Sequence, residues 1–110
     1  MSSYYEDQDL DRFAEVGAHR PELFDLFMKY YQETMAAGVL TVREKALIAL
    51  AVAHALQCPY CIDAYTRVLL ESGSNLEEMT EAIHVAAAIR GGASLVHGLQ
   101  ARNAACKLSI

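Results

Sequence analysis

Two cysteines three residues apart, Cys58-Pro59-Tyr60-Cys61, are the sharpest chemical signal in the chain. Pro59 suits the first turn of a helix, which places the pair where unpaired backbone N–H groups and the helix dipole favour a thiolate. The two thiols can close one disulfide. The spacing specifies a dithiol but not its use, which leaves a redox pair, half of a metal site, or an inert buried pair. A zinc reading lacks a second pair, and His54, His84 and His97 stand at none of the usual ligand spacings. No metal and no organic cofactor is expected.

Proton carriers for such a dithiol come from its neighbours in the chain. His54 lies four residues before Cys58, one helical turn away if the helix runs that far. If the chain reverses near Gln57, His54 and Cys61 stand at similar heights on facing helices, which makes His54 the nearest titratable candidate. Tyr65, one turn beyond Cys61, can offer a hydroxyl. Each has a plain alternative: a core histidine satisfied by a backbone carbonyl, and an ordinary core aromatic.

The elements that must hold these groups are all helical. Val, Ile and Thr are sparse, alanine is spread throughout, and no alternating strand pattern or Asn-Gly turn occurs. A short helix is expected over Leu10–Ala18 and a second over Pro21–Ala37, with Leu23, Phe24, Phe27, Tyr30 and Tyr31 forming a core stripe up to Gly38. Thr41 and Glu44 have the spacing of a capping box that opens a third helix through Leu56. This helix is apolar almost all round, so it must be central or at an interface. A fourth runs over Pro59–Glu71, and Asn75 caps a fifth over Leu76–Arg90 that Gly91-Gly92 terminates. A sixth, Ala93–Leu108, closes the chain. The fold class expected is therefore all-α: a compact bundle of five to six helices, a single domain over 1–110, with 1–9 loosely ordered.

Composition limits the partners. With 110 residues, nine Lys and Arg against fourteen Asp and Glu, and a net charge of −5, no basic surface is available to collect phosphates, so nucleic acid is excluded. The longest apolar run, Ala46 to Leu56, is well short of the ~20 residues that cross a bilayer. The acidic first residues do not resemble a signal peptide, and the chain reads as soluble and cytoplasmic. In a reducing cytosol a close Cys pair is redox-active or metal-binding more often than structural. The hydrophobic share, 54%, exceeds the roughly 45–50% of average domains, which points to a subunit interface or a lined pocket.

The run Glu44-Lys45-Ala46-Leu47-Ile48-Ala49-Leu50-Ala51-Val52-Ala53, followed by Cys58-Pro59-Tyr60-Cys61-Ile62-Asp63-Ala64, resembles the carboxymuconolactone decarboxylase and alkyl hydroperoxidase D-like superfamily. The resemblance spans about Gly38 to Gly98. Together with Ile89-Arg90-Gly91-Gly92-Ala93-Ser94, the motif looks like the branch called arsenosugar biosynthesis-associated peroxidase-like proteins. It implies an all-α fold with the Cys pair on a helical hairpin, assembly as trimers or hexamers, and thiol-dependent peroxidase or disulfide reductase activity. It also implies that Cys61 is the nucleophile and Cys58 resolves it, with a peroxide or small disulfide as substrate and an external thiol as reductant. The family's relay glutamate and histidine fall on Ala46 and Tyr65 here, so His54 and Tyr65 are the expected replacements.

Other candidates have simpler readings. Glu44 belongs to the capping box and Arg90 to a helix C-terminus. Asp63 suits a first helical turn, Cys106 a small buried site, and His84 and His97 packing or an interface. A decarboxylase-like lyase and a non-catalytic ligand-binding subunit are the competing functions.

Overall fold

The computed structural model describes Glu6 and residues 8–109. The order is a 3-10 helix Leu10–Gly17, then α1 Pro21–Met35, α2 Val42–Leu56, α3 Pro59–Glu71 and α4 Leu76–Leu108. The described residues contain no strand, in keeping with the all-α class. The expected loose segment over 1–9 falls mostly outside the described residues. The chain divides into two compact units, Met1–Ala46 and Leu47–Ile110. No helix among the described residues is long and apolar enough to cross a membrane.

In the first unit the 3-10 helix meets α1 through Phe13 and Phe24, whose rings lie 5.6 Å apart. Gly17 permits this approach, because a Cβ there would sit 2.6 Å from the Phe24 ring. The remaining stripe residues depart from the expected core: Leu23, Phe27, Tyr30 and Tyr31 are exposed. α1 also ends at Met35, with Ala36 extended, rather than running on to Ala37. The stop is made by Lys45, whose ammonium donates to the carbonyls of Thr34 at 2.7 Å and Ala36 at 2.6 Å. A cation there satisfies orphan carbonyls and opposes the negative end of the dipole.

The capping box of α2 forms as its spacing requires: Glu44 N donates to Thr41 Oγ1 at 3.0 Å and Thr41 N to Glu44 Oε1 at 2.8 Å. Those bonds from Thr41 hold the Glu44 carboxyl below the usual carboxylate range. Asn75 likewise caps α4, its Oδ1 accepting from Glu78 N at 2.9 Å. Ala46, Leu50 and Ala53 are buried along α2, while Ile48, Val52 and Leu56 are exposed, so the all-apolar helix leaves one face open.

α4 corrects the expected helix break. It is one helix of 33 residues, and Gly91 and Gly92 lie inside it. Glycine costs a helix interior about 1 kcal/mol relative to alanine, a sum that flanking alanines absorb. A glycine ends a helix by taking the left-handed conformation, and the glycine that does so here is Gly73, at φ 83°.

Candidate functional site

The dithiol is positioned by a turn between α2 and α3. Cys58 N donates to Ala53 O at 3.0 Å and Gln57 N to His54 O at 3.2 Å, the paired bonds of a Schellman helix end. Such an end needs a left-handed residue, and Gln57 supplies it at φ 59°. Glycine normally takes this place, so nothing in the sequence marks it. The same pair of bonds ends α3, from Ser74 N to Leu69 O and Gly73 N to Leu70 O, with Gly73 in the left-handed seat.

Cys58 then becomes the N-cap of α3, with Pro59 as its first helical residue. Its sulfur accepts from Cys61 N at 3.4 Å, the place a serine or threonine oxygen takes in other helices. Cys61 therefore sits at the third helical position, and the two sulfurs are 2.8 Å apart. A disulfide needs ~2.05 Å, so closure asks for less than an ångström of movement.

The two thiols differ in their hold on the proton. The hydrogen bond with the Cys61 thiol, helped by the backbone N–H of Cys61, pulls the Cys58 thiol below its ordinary range. Burial, and then the hydrogen bond and charge of Cys58, push the Cys61 thiol up to about 11. Of the two thiols, Cys58 is therefore the readier to lose its proton. The resemblance implies attack by Cys61, whose thiol is the less acidic of the two here. The physical reason is position: the N-cap sulfur receives the helix N–H groups, and the third helical position is the drier one.

His54 is half-buried, and its Nδ1 lies 2.9 Å from the carbonyl of Leu50 one turn earlier. A carbonyl only accepts, so Nδ1 carries a proton and Nε2 is the nitrogen left for another partner. Tyr65 is buried in α3. Among the described residues neither side chain hydrogen-bonds to a sulfur. Asp63 is exposed, and the first turn of α3 holds no acidic residue. Arg90 lies mid-helix in α4, so it caps nothing. His84 and His97 are exposed, and Cys106 is exposed rather than buried. Among the described residues no three His, Cys, Asp or Glu converge to hold a metal ion.

The sequence model of the carboxymuconolactone decarboxylase family matches residues 21–104, which take in most of α1 to α4 and the dithiol. The chain belongs to this family. A protein of Paracoccus denitrificans named "uncharacterized protein 4 in cox locus" is 42% identical over 77 residues, 70% of this chain and 69% of that one. A family member from Legionella pneumophila, solved in its apo form, superposes with a TM-score of 0.67 at 32% identity over 91% of this chain and 89% of its own. A structural-genomics crystal structure from Methanobacterium thermoautotrophicum reaches 0.72 at 32% identity over 76% and 93%. The all-α fold of this chain is therefore that of the carboxymuconolactone decarboxylase family.

Proposed function

We propose that this family member is a thiol-dependent oxidoreductase that reduces a peroxide or a small disulfide by cycling Cys58 and Cys61 between dithiol and disulfide. The observation that carries the reading is the N-capping Cys58 sulfur, 2.8 Å from Cys61 and bonded by its N–H. Attack is given to Cys58 and resolution to Cys61. With a hydroperoxide, the Cys58 thiolate bonds to the outer oxygen as the O–O bond breaks. The departing alkoxide takes a proton from solvent, leaving a sulfenic acid. The Cys61 thiol then displaces that oxygen, its proton leaving with it as water, and the disulfide closes. Two equivalents of an external thiol, small or protein-borne, return both residues to the reduced state through a mixed disulfide.

His54 is proposed to relay the Cys61 proton through water to the departing oxygen during the second step, and Tyr65 to offer its hydroxyl to the leaving oxygen. The motif's resemblance to the arsenosugar-associated branch is what favours arsenic-linked or organic hydroperoxide substrates.

Reduced protein treated with one equivalent of hydroperoxide is expected to lose about 2 Da by intact mass, as an intrachain disulfide forms. In the Cys61→Ser variant a sulfenic-acid trap should label Cys58. Stepwise oxygen addition to wild-type protein without disulfide would sink the redox reading. Faster peroxide consumption by Cys58→Ser than by Cys61→Ser would return the attack to Cys61.

A further inference from the structure

Among the described residues Gln57 is the one non-glycine held at a positive φ, 59°. Such a conformation is costly for a residue with a Cβ and persists where its surroundings over-determine it. Here they are the shortest link between described helices: α2 stops at Leu56 and α3 starts at Pro59, so Gln57 and Cys58 alone span the gap. A left-handed Gln57 turns the chain, and the next residue is already the cap. Between α3 and α4 the chain has more room, since the cap Asn75 follows the left-handed Gly73 after Ser74. The seat of the Cys58 sulfur is therefore set by Gln57, with no loop residue to absorb an error.

Oxidation changes what that sulfur can do. In the dithiol, Cys58 Sγ accepts the N–H of Cys61 at 3.4 Å, at the positive end of α3. The hydrogen bond with the Cys61 thiol and the N–H groups of Cys61 and Tyr60 all favour a negative sulfur there. A hydrogen bond to an ionised acceptor is roughly twice as strong as one to a neutral acceptor. In the disulfide the same sulfur is neutral and bonded to Cys61. Contacts that stabilise the dithiol are thus weakened in the disulfide.

We infer that Gln57 is a positioning residue that seats the Cys58 sulfur as the cap of α3 and so biases the pair towards the dithiol, enough for an ordinary monothiol to serve as reductant. This rests on the thiol–disulfide cycling proposed above and names its reductant class. One monothiolate bonds to a protein sulfur as the Cys58–Cys61 bond breaks and the other sulfur leaves as a thiolate. A second monothiolate bonds to the first, which frees the protein sulfur and releases the two monothiols as their own disulfide. Two electrons pass to the protein, and the two protons the monothiols shed end on Cys61 and on Cys58 or solvent.

The oxidised full chain, placed in a glutathione buffer of cytosolic poise and scored by thiol alkylation and intact mass, tests this. The wild type is expected to become mostly dithiol, and Gln57→Gly, which keeps the left-handed turn, should match it. Gln57→Val, whose branched Cβ opposes that turn, should shift the equilibrium constant at least tenfold towards the disulfide. Urea unfolding of the wild type needs no variant: the reduced chain should be the more stable. A wild-type disulfide that forms but survives that buffer, yielding only to dithiothreitol, overturns the inference and leaves the redox reading standing. An oxidised chain more stable than the reduced one overturns it too, as does a Gln57→Val equilibrium equal to that of Gln57→Gly. If no intrachain disulfide forms even in excess oxidised glutathione, the redox reading falls and takes this inference with it.

Discussion

Cys58 and Cys61 show how three residues of helix separate two chemically identical groups. One sulfur accepts a backbone N–H at the helix start, while the other, 2.8 Å away, lies in a drier place. Only thiolates alkylate, so iodoacetamide should modify Cys58 first, with a midpoint below that of an ordinary cysteine, and reach Cys61 only in strongly alkaline solution. The stability of the reduced protein has the matching sign. Between the lowered pKa of Cys58 and the ordinary thiol range the unfolded chain holds more protons, so stability rises with pH. As pH climbs on towards about 11 the folded chain holds more, through Cys61, and stability falls. Urea unfolding under reducing conditions across this range checks both slopes. Neither His54 nor Tyr65 is among the causes that lower Cys58, so His54→Ala and Tyr65→Phe should leave its alkylation midpoint in place. A shifted midpoint would mean that one of them reaches the sulfur directly.

At the scale of elements, three helices begin with the same device, a side chain at the cap accepting from the N–H three residues on: Thr41 to Glu44, Cys58 to Cys61, Asn75 to Glu78. Thr41→Ala should cost about 1 kcal/mol in denaturant unfolding. Two helices end alike, but with different residues in the left-handed seat. Gly73→Ala should destabilise by about 1 kcal/mol, whereas Gln57→Gly should not, because glycine relieves the strain a Cβ suffers there. The mid-helix glycines are the opposite case. A Cβ at Gly98 would meet nothing within 4 Å, so Gly98→Ala should stabilise α4 by roughly 0.5–1 kcal/mol.

At the scale of the whole chain, the hydrophobic surplus of the composition reappears as exposed surface. Seven hydrophobic residues are buried among those described, while large ones such as Val52, Leu56, Ile89 and Leu95 stand open. Side chains like these need a partner in water. If a second copy of the chain supplies it, folding and assembly are linked by mass action, and the thermal midpoint should rise with protein concentration. A midpoint independent of concentration over a hundredfold range, in a chain that sediments singly, would remove that link.

Signals that depend on residues a few positions apart were fully legible in the sequence. Thr41 with Glu44, Asn75 with Glu78, Pro59 after Cys58 and the Cys-x-x-Cys spacing each act through bonds within a single helical turn, and each forms as its residue types dictate. Other features depend on surroundings that local pattern does not encode. Gln57 takes a glycine's conformation because the turn into α3 demands it, and α4 passes through Gly91-Gly92 because no chain reversal follows. The aromatic stripe of α1 is apolar in pattern yet largely uncovered in space. Sequence alone set the dithiol at the start of a helix. Which of its two sulfurs is the more acidic was decided only by the tertiary structure, because desolvation is a property of everything packed around an atom.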